Sequence, residues 1–119
     1  MATQAVSVQI FGISSSQASR AAERFFKERR IQLHYVDLKK KPMSPGEIGR
    51  FVSKFGLPAL LDTEGTAYID AGLKYMKVTD AEMLAKIEKN PNLLRLPMVR
   101  CGNKLAVGKD EPAWKAMLA

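Results

Sequence analysis

Three consecutive serines, Ser14-Ser15-Ser16, lie between a strand-like run and an amphipathic helix, and a fourth, Ser19, falls in the first turn of that helix. The run Val6-Ser7-Val8-Gln9-Ile10-Phe11 reads as a β-strand closed by Gly12. From residue 17 to about 29, Ala18, Ala21, Ala22, Phe25 and Phe26 recur at helical spacing. A strand that feeds a helix through so short a loop aims backbone N–H groups and a positive dipole end at that loop. Such a field holds an anion or acidifies a nucleophile. A thiol placed there becomes a thiolate, whereas a hydroxyl gains no comparable acidity. Ser16 and Ser19 have the spacing of a C-x-x-C pair without either sulfur. A serine nucleophile needs a neighbouring base, and nothing in the motif supplies one. The loop and helix cap is the plainer role for these serines.

The other reactive side chains are few. Cys101 is the only cysteine, so no intrachain disulfide forms, and it falls at a predicted hairpin turn. It reads as an ordinary, partly buried thiol. An exposed thiol flanked by Arg100 and Lys104 would be open to glutathionylation or oxidation, a secondary reading. His34 is the only histidine and reads as a strand residue. No cysteine, second histidine or carboxylate stands at ligand spacing from it, so no metal site is expected.

These residues need elements to position them. After the first helix, Ile31-Gln32-Leu33-His34-Tyr35-Val36 reads as a second strand ending at Asp37. The intervening helix makes the two strands a parallel pair. Ser44-Pro45-Gly46-Glu47 combines an N-cap, an early proline and a capping-box glutamate, and opens a helix carrying Ile48, Phe51, Val52 and Phe55. Gly56 closes it, and a shorter segment runs through Leu60, Leu61, Tyr68 and Leu73. Thr79-Asp80-Ala81-Glu82 opens another helix, with Met83, Leu84 and Ile87 on one side, ended by Asn90-Pro91. Pro97 to Arg100 and Lys104 to Gly108 then read as a hairpin around a tight Gly-Asn turn. A last helix holds Pro112 in its first turn and anchors on Trp114, Met117 and Leu118.

At 119 residues and 46% hydrophobic, the chain suits a single domain, residues 1–119, around one core. No run approaches the ~18–20 apolar residues of a membrane span. No basic-then-apolar leader opens the chain either, and with one cysteine a reducing cytoplasm is the expected setting. The formal net charge of +7 favours acidic partners. Its basic residues are dispersed and lack aromatic interleaving, so direct nucleic-acid binding is not expected and solvated surface charge is the plainer reading.

Five fragments in order carry a resemblance. Ile10-Phe11-Gly12-Ile13-Ser14-Ser15-Ser16 stands where the arsenate reductase (ArsC)/Spx family has a strand, an aromatic and Gly-x-x-x-Cys. Lys41-Pro42-Met43-Ser44 with Glu47-Ile48 resembles its K-x-P-L-S-x-x-E-L segment. Leu60-Leu61-Asp62-Thr63-Glu64-Gly65-Thr66-Ala67-Tyr68 resembles L-x-N-T-R-G-x-x-Y. Asn90-Pro91-Asn92-Leu93-Leu94 with Leu96-Pro97 resembles N-P-x-L-I-K-R-P, and Val107-Gly108 matches the glycine that ends the hairpin. The resemblance implies an α/β, thioredoxin-like fold: a mixed four-stranded sheet built β-α-β, then a helical insertion, then β-β-α. The thioredoxin-like core is expected at about 5–38 and 95–119, and the insertion at about 44–94. The proline opening the third strand, after Leu96, is expected in cis.

In the family's enzymes a cysteine at the position of Ser16 attacks arsenate while arginines hold the oxyanion. Here the arginine before the hairpin proline falls on Leu96, and another basic position falls on Asp62 or Glu64. Arsenate reduction through Ser16 is therefore not expected, and no catalytic residue is assigned. The ligand-binding candidates are Ser14, Ser15, Ser16, Arg20, Arg95, Leu96, Pro97 and Lys109. The resemblance leaves three functions. One is a non-catalytic binding or regulatory module, as in Spx-type regulators that bind RNA polymerase. Another is an oxidoreductase taking glutathione as ligand or co-substrate, with no resident cofactor. The third is a partner of a metalloenzyme, on the thin likeness of Leu94-Arg95-Leu96-Pro97 and the Gly108-to-Trp114 spacing to nitrogenase-associated members.

Overall fold

In a computed structural model, residues 7–118 are described. The expected start of the core at about residue 5, the strand residue Val6 and the final Ala119 lie outside them. By contact, the chain divides into two compact units. One runs up to Asp37 and resumes at Leu96; the other is Leu38–Arg95.

The first unit holds a four-stranded sheet in the order β2-β1-β3-β4. Strand β1 is Ser7–Gly12, β2 is Gln32–Asp37, β3 is Met98–Cys101 and β4 is Lys104–Val107. Helix α1, Gln17–Glu28, links β1 to β2, which pair in parallel with Ile10 beside Tyr35 and Gly12 beside Asp37. β3 runs antiparallel to both neighbours, with Phe11 opposite Met98 and Val99 opposite Ala106. The sheet is thus mixed. Gly102, at φ 61°, occupies the left-handed region that the two-residue hairpin turn requires.

Strand periodicity decides the core. Val8, Ile10, Val99 and Ala106 point to one face and pack with Ala22, Phe25 and Phe26 of α1. Trp114 and Met117 of the last helix, α5 (Glu111–Met117; α2–α4 lie in the second unit), complete that layer. The Trp114 ring lies 5.4 Å from Phe25 and 6.2 Å from Phe26, between centroids. Fully burying such rings removes the largest apolar areas in the unit, roughly 150–250 Å² each.

The second unit is helical. Helix α2, Pro45–Phe55, starts at Ser44, whose Oγ accepts from Glu47 N at 3.2 Å. The Glu47 carboxylate in turn accepts from Ser44 N at 3.0 Å. Helix α4, Asp80–Lys89, starts with the same reciprocal pair between Thr79 and Glu82. Between them the short helix α3, Thr66–Asp70, is flanked by 3-10 turns at Leu57–Leu60 and Leu73–Tyr75. The expected single segment from Leu60 to Leu73 is therefore broken into turns. Asp62-Thr63-Glu64-Gly65 is a tight turn, closed by Gly65 N donating to Asp62 O at 3.0 Å.

Candidate functional site

The serine loop closes the carboxyl end of β1. Ser16 N donates to Ile13 O at 2.9 Å, and Ser16 O accepts from Arg20 N at 3.1 Å as the first turn of α1 begins. The Ser16 side chain caps the helix: its Oγ accepts from Ser19 N at 3.2 Å. Ser16 is half-buried, while Ser14, Ser15 and Arg20 are exposed. Among the described residues no side-chain base bonds to Ser16 Oγ. The first turn of α1 carries no acidic residue, so nothing neutralises the positive end of its dipole from within the helix.

Beneath the loop lies a small polar cluster that the sequence reading did not anticipate. Ser19 is fully buried, and its Oγ accepts from Ile13 N at 3.4 Å. A Cβ on Gly12 would stand 2.5 Å from Ser19 Oγ and 2.9 Å from the Tyr35 hydroxyl. Gly12 is therefore required by close approach, at a backbone of ordinary sign. The Tyr35 hydroxyl is buried without a partner of good hydrogen-bond geometry; Ser19 is near enough to interact electrostatically but not to satisfy it. Burial drives the Tyr35 phenol above its ordinary value of 10.0, opposed by the Ser19 hydroxyl and reinforced by the charges of Glu23 and Asp37. The sequence signal was Gly12 itself at the strand end. The pairing of Ile10 with Tyr35, which delivers the phenol, is a matter of register.

The hairpin reaches the same end of the sheet. Continuing the Phe11–Met98 ladder by one residue puts Pro97 opposite Gly12. The Leu96–Pro97 bond is cis, as expected, and Pro97 O accepts from Gly108 N at 2.9 Å. Pro97 is buried and Leu96 half-buried. Lys109 follows Gly108 and is exposed. The first unit thus joins the serine loop, Arg20 and the Leu96–Pro97 step on one scaffold.

Arg95 falls in the other unit. Its N–H donates to Leu60 O at 2.8 Å, and its side chain lines a small polar cavity of about 270 Å³ with Asp62, Thr63 and Glu64. Its local environment is acidic. The helical unit also has an apolar groove of about 410 Å³ along α2 and α4, lined by Met43, Ile48, Val52, Leu84, Ile87 and Leu94 among others. None of the ligand-binding candidates from the sequence lines that groove.

Cys101 ends β3, half-buried, with Sγ 3.8 Å from Met117 O. Three residues beyond Met98 along the strand, it stands about 10 Å from the serine end of the sheet. Among the described residues no group of three or more His, Cys, Asp or Glu side chains could hold a metal ion. No helix among them is long and apolar enough to cross a membrane.

A β-α-β unit followed by an antiparallel hairpin and a closing helix, sharing one mixed four-stranded sheet, defines a thioredoxin-like α/β protein. The chain belongs to the ArsC family, whose model matches residues 11–117. No curated protein matches it. Its structure is similar to that of a YFFB protein at 18% identity, TM-score 0.83, covering 94% of this chain and 99% of that one. It is similar also to an arsenate reductase from Vibrio cholerae: 19% identity, TM-score 0.78, and 97% and 98% coverage. A third likeness is to an arsenate reductase (ArsC) related protein from Brucella melitensis, at 21% identity, TM-score 0.68 and 97% coverage of each. At these identities the likeness is one of fold.

Proposed function

We propose that this chain is an ArsC-family protein without arsenate-reducing chemistry at its helix terminus, working as a binding or regulatory module. The observation that carries the reading is Ser16: its hydroxyl is engaged as the N-cap of α1, at 3.2 Å from Ser19 N. Arsenate reduction of the family type requires a sulfur nucleophile at that point, and an uncharged hydroxyl without a base does not replace it. Cys101, the one thiol, lies on the strand away from this end. What remains is a ledge of backbone groups at Ser14–Ser16 and Leu96–Pro97, with Arg20 and Lys109 in the same unit, suited to holding a peptide, glutathione or an anion.

The partner class that best suits the net charge of +7 is an acidic protein surface, with RNA polymerase as the first candidate by likeness to Spx-type regulators. Arsenate reduction, supplied with glutathione and glutaredoxin, is measured on this chain beside its Ser16→Cys variant. The unmodified chain is expected to be silent, and turnover by it overturns the reading. In parallel, binding to purified RNA polymerase is measured at low and high ionic strength, where a charge-steered complex weakens with salt.

A further inference from the structure

The sheet has a second face, turned away from the Phe25–Trp114 core, and its polarity changes along the strands. At one end Phe11 and Met98 are opposite each other and almost completely buried, at 1% and 0% exposure. Two residues along each strand, the apolar row gives way to a polar one. Gln9 pairs with His34 on one side and with Arg100 on the other, so three adjacent strands present imidazole, amide and guanidinium in a line. Two inter-strand steps of about 4.8 Å make that line about 10 Å long. Ser7 and Gln32 form the next row. Together with Gly102 these side chains line a concavity of about 450 Å³, within the size range of small-ligand sites.

The chemistry of the lining is one-sided. It contains a guanidinium, an imidazole, two carboxamides and a hydroxyl, and no carboxylate. Arg100 Nε donates to Gly102 O at 2.9 Å, which orients the guanidinium and leaves its two terminal nitrogens to donate elsewhere. Among the described residues no carboxylate pairs with Arg100. Gln9 and Arg100 are half-buried beside the dry Phe11–Met98 row, where a hydrogen bond to an anion is less screened than in open water.

We infer that this row of His34, Gln9 and Arg100 binds a phosphate-type oxyanion, the head group of a small phosphomonoester. Arg100 supplies a forked pair of charge-assisted hydrogen bonds, while the carboxamides and the imidazole supply neutral or additional charged donors. The inference is independent of what Ser16 does. Both sites lie in the same unit, but they use different residues and opposite ends of β1.

Backbone amide NMR shifts are followed while inorganic phosphate, glycerol phosphate or a short single-stranded oligonucleotide is added. Saturable shifts confined to Ser7, Gln9, Gln32, His34, Arg100 and Gly102 are expected with the first two probes. Arg100→Gln is expected to weaken binding about tenfold or more, the scale of losing a charged hydrogen-bond pair. Lys115→Gln, which removes the same charge from the exposed side of α5, leaves the affinity unchanged. Equal weakening by the two variants, non-saturating shifts spread over the lysines, or binding of the oligonucleotide alone overturns the inference. If Arg100→Gln loses its dispersed spectrum, His34→Gln and Gln9→Ala carry the same comparison.

Discussion

Ser16 Oγ accepts the backbone N–H of Ser19 at 3.2 Å, so the Ser16 side chain is occupied in holding the first turn of α1. An N-cap hydrogen bond satisfies one of the orphan donors of the helix, and replacing such a cap by alanine costs about 1 kcal/mol. Ser16→Ala is expected to lower stability by that amount in chemical denaturation, with the fold retained. A loss well above 2 kcal/mol would mean that Ser16 carries further buried interactions.

The same field that favours the cap acts on a sulfur. In a Cys101→Ala background, Ser16→Cys is expected to react with iodoacetamide at neutral pH faster than Cys101 does in the unmodified chain. The helix N-terminus stabilises a thiolate at residue 16, whereas Cys101 faces the Met117 carbonyl. Equal or slower alkylation at residue 16 would show that the helix terminus does not acidify a thiol.

Gly12 is held by its neighbours rather than by its dihedral angles. A methyl at Gly12 meets Ser19 Oγ at 2.5 Å and Ser19 Cβ at 2.8 Å. Gly12→Ala is expected to destabilise by about 1–3 kcal/mol, as overpacking does. Adding Ser19→Ala does not restore the loss, because the Cβ contact stays; adding Ser19→Gly relieves more of it. Full rescue by Ser19→Ala in a thermal denaturation series would locate the clash at the hydroxyl alone.

Tyr35 gives stability a dependence on alkaline pH. Its phenol ionises at higher pH in the folded state than in the unfolded one, mainly because it is buried. Its contribution is complete below the ordinary tyrosine value of 10.0 and is lost as pH rises through the folded value. Stability is expected to fall more steeply above pH 10 for the parent than for Tyr35→Phe. Parallel curves for the two proteins in denaturant titrations would contradict this placement of the hydroxyl.

Glu82 does the opposite at acid pH. The Thr79 backbone N–H, donating to the Glu82 carboxylate at 3.0 Å, lowers its pKa below the ordinary carboxylate value, with the Thr79 side chain adding to the effect. This capping interaction is complete above the unfolded carboxylate value and is lost as pH falls through the folded one. An NMR titration is expected to show Glu82 ionising below the ordinary range in the parent and closer to it in Thr79→Ala. An unchanged midpoint would show that the capping box does not persist in solution.

Much of this protein was decided locally and was legible in the sequence. Ser44 and Thr79 cap helices because their side chains reach backbone N–H groups three residues ahead. Gly102-Asn103 turns the hairpin because a two-residue turn needs a left-handed residue. Ser16 was readable as a cap for the same short-range reason. The segment from Leu60 to Leu73 was less legible, since short turns set by Gly65 and Gly72 carry no sustained period.

Only the tertiary structure decided which distant residues meet. Strand order and register, each set by packing along the whole sheet, brought Tyr35 over Ser19 and Gly12, and aligned His34, Gln9 and Arg100 on one face. Arg95, adjacent in sequence to Leu96–Pro97, belongs instead with Asp62 and Glu64 in the helical unit, because its backbone N–H bonds to Leu60. Capping and turns follow from a few neighbouring dihedral angles and donors. Long-range pairing follows from which faces can be buried together, and single residues do not carry that information.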